Sequence, residues 1–248
     1  MATHAMIFDL DGTLVKTEDL KASSYARAIE ELRPHCFSED EVVEFFKDLV
    51  GMARREVSIA LLEHFELETS AAERMAEFGV STPWQALAQV RLQYYDRMLA
   101  DTDLIRRNVW PHNLALLSFA RQTCHKVGLA SMSVISQVDQ ILAALNLTGA
   151  FEYIAGREDV EKPKPDPEIY LLVAEKLATA PENCLVIEDS FVGVQAALAA
   201  GMCCIAVTTP MTHSAIHAGK ILDDQWIVDE PVQLTGIVQQ MLDGGCGA

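Results

Sequence analysis

The chain has 248 residues, half of them hydrophobic, enough to bury one large domain or a core carrying a substantial insert. Its formal net charge of -17 argues against nucleic acid and anionic membrane surfaces as partners, because both demand clustered basic charge. An anionic ligand would have to be drawn in locally, by a metal ion or a few placed cations, against the overall field.

The first element is Met6-Ile-Phe-Asp9-Leu-Asp11-Gly12-Thr13-Leu14, an apolar run that stops at two carboxylates and reads as a buried strand ending in a polar site. Alternate strand residues share a face, so Asp9 and Asp11 point the same way while the chain stays extended, and Gly12 then lets it turn. Two carboxylates ~4 Å apart repel by roughly 4 kcal/mol at an effective dielectric near 20, so they need a cation, a shared proton or open water. An Asx-turn pair at a strand end is the plain alternative.

From Glu18 to about Asp103 the text is helical in period and composition, with no alternating strand, and predicts four or five helices forming a separate inserted unit. Ser38 with Glu41 and Ser70 with Glu73 read as capping boxes, and Pro83 suits a first helical turn. From Val109 onward the rhythm becomes strand, turn, helix. Strands are expected at Lys126–Ala130, Phe151–Ala155, Cys184–Ile187, Cys203–Val207 and Trp226–Val228. Helices are expected at Val134–Leu145, Pro167–Leu177, Val192–Ala200 and Val232–Leu242, with a frayed Gly-Gly-Cys-Gly-Ala tail. Such βαβ units imply an α/β fold, a parallel sheet with helices on both faces and its site at the carboxyl ends of the strands.

The longest apolar run, Ala196 to Val207, is too short to cross a bilayer, and a strand beginning so near Met1 leaves no room for a signal peptide, so a cytoplasmic location is expected. The six cysteines show no CxxC or zinc-ligand spacing and read as reduced thiols.

Polar residues directly after apolar strands fall at Asp9 and Asp11, at Ser131 with Ser133, at Lys162 before Pro163-Lys-Pro-Asp166, and at Glu188-Asp189-Ser190. Here the chain resembles the haloacid dehalogenase-like (HAD) hydrolases. It has D-x-D-G-T at Asp9 to Thr13, the strand end Leu129-Ala-Ser131, K-P-x-P-D at Lys162 to Asp166 and E-D-S-x-x-G at Glu188 to Gly193, in the family's order. The resemblance implies a Rossmann-like core over residues 1–16 and 108–248, with an α-helical cap over 17–107 similar to that of β-phosphoglucomutase and small-metabolite phosphatases.

By this resemblance Asp9 is the nucleophile of an aspartyl-phosphate pathway and Asp11 the general acid, then base. Mg²⁺ is the implied cofactor, held by Asp9, Asp189, Glu188 and the backbone carbonyl of Asp11. Ser131 and Lys162 would hold phosphoryl oxygens. Lys164 is a rival to Lys162, which family spacing favours. Taken singly, Ser131 is an ordinary strand-end hydroxyl, and Glu188-Asp189-Ser190 a helix cap. In the cap, Arg54, within Gly51-Met-Ala-Arg54-Arg55, matches an arginine that contacts distal substrate oxygens in the mutase. Lys21 stands where many relatives have histidine, and Pro111-His112-Asn113 replaces the usual Pro-Gly-Val.

The function expected from this resemblance is a Mg²⁺-dependent phosphatase acting on a small phosphorylated metabolite, foremost a sugar phosphate, as a monomer or homodimer. Thr13 and Lys21 tilt it away from the alternative, a β-phosphoglucomutase-like isomerase. A catalytically silent binding module is a third reading, opposed by the intact Asp9, Asp11, Lys162 and Asp189.

Overall fold

The computed structural model describes residues 5–50, 52–123 and 126–244. Six strands pair in parallel: β1 (Ala5–Phe8), β2 (Lys126–Ala130), β3 (Tyr153–Ala155), β4 (Cys184–Glu188), β5 (Cys203–Val207) and β6 (Ile227–Val228), in the order β3-β2-β1-β4-β5-β6. Every residue of β1, β4 and β5 is buried. That matches their near-continuous apolar text, since a strand covered on both faces has no polar side to show. Ile7, Val186 and Cys204 share one buried cluster with Tyr170, Val173 and Ala196 from the crossover helices.

Two compact units make up the chain. One joins the residues up to Lys16 with those from Ile105 onward, and the other is Thr17–Leu104. The second unit is wholly helical: α1 (Thr17–Leu32), α2 (Glu39–Lys47), α3 (Arg54–His64), α4 (Glu68–Glu73), α5 (Met75–Phe78) and α6 (Pro83–Ala100). Helix α6 is its axis, with α1, α3, α4 and α5 packed around it. Ser38 caps α2 in a reciprocal box with Glu41, and Pro83 opens α6. Ser70 makes no box, because α4 already starts at Glu68, next to the fully buried Leu67. Helix α7 (Thr102–Arg107) straddles the boundary between units. Ile105 to Arg107 belong with the first unit, contrary to the expected boundary at 107, and Arg106 Nε there donates to the Ala144 carbonyl at 2.8 Å.

The first unit continues with α8 (Pro111–Thr123), α9 (Ile135–Ala144), α10 (Glu168–Lys176), α11 (Phe191–Ala199), α12 (His213–Gly219) and α13 (Leu234–Gly244). The sequence reading did not anticipate α12, and the expected last strand is shorter, because Trp226 closes a 3₁₀ turn before β6. One cysteine reading fails: Cys203 is disulfide-bonded, whereas Cys36, Cys184 and Cys204 are free thiols. Cys124, Cys246, Gly51 and most of the tail lie outside the described residues. Among the described residues, no helix is long and apolar enough to cross a membrane.

Strand register brings the polar residues together. Phe8 lies opposite Leu129 of β2 and Ile187 of β4, so the residues following each strand emerge at one level. Asp9 N–H still bonds the Ile187 carbonyl at 3.0 Å, and Ser131 N–H bonds the Ala155 carbonyl at 3.0 Å. The carboxyl rim of three adjacent strands thus carries Asp9, Ser131 and Asp189.

Candidate active site

At the centre of the rim three acidic side chains, Asp9, Glu188 and Asp189, are each at most 5% exposed, and one oxygen from each lies within 4.8 Å of the others. The chain is shaped to admit them. Gly12 turns the loop after β1 at φ +82°, and a Cβ there would sit 2.1 Å from an Asp189 carboxylate oxygen. Gly193, in the first turn of α11, leaves room in the same way, since its Cβ would fall 1.8 Å from Glu188 Oε1. Thr13 Oγ1 donates to Asp189 at 3.3 Å, and the buried Asn113 holds the Thr13 carbonyl through its Nδ2 at 2.6 Å. Asn113, which looked like a departure at the start of α8, therefore steadies the motif loop.

The cation among these acids is Lys164. Its ammonium is 4% exposed and donates to Asp9 Oδ1 at 2.8 Å, Glu188 Oε1 at 2.7 Å and the Ala130 carbonyl at 3.2 Å. Lys162 is displaced from the role expected of it: its side chain is 70% exposed and pairs with Asp166 at 3.5 Å. The reason lies in the start of the following helix. Glu168, in the first turn of α10, accepts the backbone N–H groups of Glu161 and Lys162, both at 2.9 Å, which holds that end of the loop outward.

Burial sets the electrostatics. It pushes the Asp9 carboxyl up to about 8, with Lys164 opposing and the neighbouring acids adding to the rise. Burial also works against the Lys164 ammonium, yet attraction from Asp9 and Glu188 outweighs it and holds that pKa above the ordinary lysine value. Glu188 is fully engaged: Oε1 takes Lys164 and the Tyr170 hydroxyl, and Oε2 takes the backbone N–H and hydroxyl of Ser190. Asp9 Oδ2 is different, a buried oxygen without a hydrogen-bond partner. An orphan of this kind calls for an ion or a ligand atom, since its desolvation is otherwise uncompensated.

These observations fit a hard divalent cation. The donors are all carboxylate oxygens, the set Mg²⁺ prefers, and a nearby ion would favour the charged form that burial alone disfavours in Asp9. Asp11 stands apart from this cluster. Its Oδ2 accepts two hydroxyls, Ser131 Oγ and Ser133 Oγ, each at 2.8 Å, while Ser131 Oγ also accepts the Ser133 N–H at 3.0 Å. Ser133 had no expected role beyond sharing the strand end. One carboxylate of the D-x-D pair thus faces acids and a lysine, and the other faces hydroxyls.

The helical unit carries the remaining expected residues. Lys21 Nζ donates to Glu18 at 2.8 Å, and Arg54 is exposed at the first turn of α3. The sequence reading missed Arg91. Its side chain is buried on α6, Nε donates to Ser24 Oγ at 2.8 Å, and the guanidinium lies over the rings of Tyr25 and Tyr95, 5.2 and 4.3 Å from their centroids. A single arginine inside an otherwise helical pattern gives no signal in the sequence that separates it from a solvated one.

Comparison with known proteins bears on family and fold. Residues 6–207 match the family described as haloacid dehalogenase-like hydrolase. A phosphorylated carbohydrates phosphatase of Thermotoga maritima is 29% identical over 241 residues, spanning 96% of this chain and 100% of that protein. A phosphoglycolate phosphatase of Escherichia coli O157:H7 is 26% identical, over 83% of this chain and 81% of its own. The crystal structure of β-phosphoglucomutase from Clostridium difficile covers 97% of both chains with a TM-score of 0.70 at 23% identity, a likeness of fold.

Proposed function

The chain belongs to the haloacid dehalogenase-like hydrolases, and on that premise we infer that it is a phosphatase acting on a small phosphorylated metabolite, with sugar phosphates the first substrate class to try. The observation that carries this reading is the buried Asp9 carboxylate, with one oxygen tied to Lys164 and the other without a partner. The name of the Thermotoga maritima relative supports the substrate class.

Asp9, Asp189 and Glu188 would hold Mg²⁺, with the Asp11 carbonyl as the further oxygen expected from the family pattern. When bound, the ion supplies positive charge that offsets the phosphate dianion and the acidic cluster. Asp9 attacks phosphorus, the P–O bond to the leaving alcohol breaks, and an aspartyl-phosphate forms on Asp9. Asp11, positioned by the Ser131 and Ser133 hydroxyls, gives its proton to the leaving oxygen. It then takes a proton from the water that attacks the acyl phosphate, which releases inorganic phosphate, frees the Asp9 carboxylate and returns Asp11 to its protonated form. Lys164 stays charged throughout and offsets the charge of Asp9 and of the incoming phosphoryl group. Ser131 is the hydroxyl assigned to a phosphoryl oxygen in this scheme.

The test is incubation with Mg²⁺ and a panel of sugar phosphates, including β-glucose 1-phosphate with and without the bisphosphate, following free phosphate and isomerised product together. The expected result is stoichiometric phosphate release that disappears in Asp9→Asn, by at least ~10³-fold. Isomerised product without free phosphate would assign the chain to the mutases. Inactivity across the panel would point to a binding module.

A further inference from the structure

A second set of metal-ligating groups lies away from the acidic cluster, at the edge of the sheet. His213 and His217 are four residues apart on α12 and so project from one side of it, with ring centroids 4.5 Å apart. Facing them is Asp229, the residue after β6. Its Oδ1 and Oδ2 lie 3.0 and 3.1 Å from His217 Nε2, and Oδ1 lies 3.7 Å from His213 Nε2. We propose that His213, His217 and Asp229 form a binding site for a late first-row divalent cation, Zn²⁺ foremost, independent of the Mg²⁺ chemistry at Asp9.

The distances carry the argument. Zinc bonds of about 2.0–2.1 Å in a tetrahedron set neighbouring donor atoms about 3.3 Å apart, and the separations of 3.0 and 3.7 Å from Asp229 Oδ1 bracket that value. One ligand atom from each of the three residues already lies within 4.8 Å of the other two. The donor set is two imidazole nitrogens and one carboxylate oxygen, which suits zinc, nickel or copper and not magnesium. With three protein ligands, a fourth position is left for water or an anion.

The ligands are held rather than loose. Thr208 Oγ1, after β5, donates to Asp229 Oδ1 at 2.8 Å, the outer hydrogen bond that orients a ligating carboxylate. Helix α12 is locked at its start by the buried Thr209 and Thr212, whose hydroxyls lie 3.0 Å apart and each accept the other's backbone N–H, and along its length by the buried Ile216. The side chains are open to an incoming ion: His213 is 54%, Asp229 43% and His217 35% exposed. His217 also borders a surface cleft lined by Lys220, Asp223 and Asp224, two acids to one cation. In the order β1-β4-β5-β6, Asp229 lies three strand spacings from Asp9, or roughly 14 Å. An ion there would pin α12 to the edge strand.

The experiment titrates the metal-stripped full chain with Co²⁺ and then Zn²⁺, near neutral pH and with Mg²⁺ in excess to occupy the carboxylate cluster. One equivalent of Co²⁺ is expected to give the intense visible band of a four-coordinate site, displaced by one equivalent of Zn²⁺. His213→Ala, His217→Ala and Asp229→Ala should each weaken binding at least tenfold, Thr208→Val about tenfold, and Asp189→Asn not at all. His213, His217 and Asp229 are 54%, 35% and 43% exposed, so their metal-free alanine variants should melt with the wild type. Should one fail to fold, the wild type carries a second reading, because Zn²⁺ must shift the imidazole ¹⁵N resonances of His213 and His217. Binding that survives the double variant His213→Ala/His217→Ala, binding lost instead in Asp189→Asn, or no binding tighter than the millimolar range would each overturn the proposal.

Discussion

Asp9 and Glu188 grip the Lys164 ammonium from two sides, and all three groups are almost wholly out of water. Removing the cation would strand two buried carboxylates, so Lys164→Met should cost about 3–5 kcal/mol in denaturant unfolding as well as the phosphatase activity. Lys162→Ala, at an exposed position, should shift stability by less than about 0.5 kcal/mol and leave turnover close to wild type. If the two effects were exchanged, the placement of the lysine would be wrong. The sequence could not settle this point, because Lys162-Pro-Lys164-Pro-Asp166-Pro contains two overlapping K-P-x-P frames. What selects the second frame is the capture of the Glu161 and Lys162 amides by Glu168, an interaction across six or seven residues that no local pattern announces. Asp9, Ser131, Glu188 and Asp189 were legible because each directly follows or ends an apolar strand, and Asp11 because it shares a D-x-D motif with Asp9. Arg91 was not, because its burial depends on the packing of two helices.

At the scale of elements, the loops after β1 and β4 interlock through small residues. Gly193 lies where α11 begins, against the Glu188 side chain that ends β4. A methyl group there must displace a carboxylate already engaged by four donors. Gly193→Ala should therefore cost about 1–3 kcal/mol and lower kcat by a larger factor than that loss explains at a temperature where the variant stays folded. Unfolding curves and kcat measured on the same preparation check the comparison; full activity in a destabilised variant would show that Glu188 can shift freely. The strands and crossover helices were readable from alternation of apolar runs and turn residues, since a doubly covered parallel sheet leaves few other patterns. The helical unit was readable in kind and less so in detail. The box at Ser38 formed where an exposed helix start depends on its own cap, whereas near Ser70 the burial of Leu67 and Ala71 set the start of α4. Helix α12 has only seven residues and a modest apolar signal, too little periodicity to stand out.

For the whole molecule, a net charge of -17 opposes the approach of any phosphorylated substrate. Screening should relieve this, so kcat/KM is expected to rise about two- to threefold between ~10 and ~150 mM monovalent salt at fixed Mg²⁺; a fall would mean that local cations dominate the encounter. Mg²⁺ itself should stabilise the fold, because it neutralises three clustered buried acids. At a hundred times its dissociation constant it contributes about 2.7 kcal/mol, seen as a rise in Tm of roughly 5–10 °C that chelation reverses. The central claim is narrower than either of these and concerns one atom group: the phosphoryl group passes through Asp9. The most direct measurement uses Asp11→Asn, in which hydrolysis of the intermediate lacks its base, with p-nitrophenyl phosphate, whose leaving group needs no general acid. The protein is quenched in acid during the first turnover, reduced with borohydride and mapped by peptide mass spectrometry. The modification is predicted on Asp9 alone and absent without Mg²⁺. A modification on any other residue, or rapid phosphate release with Asp9 never labelled, would contradict the account.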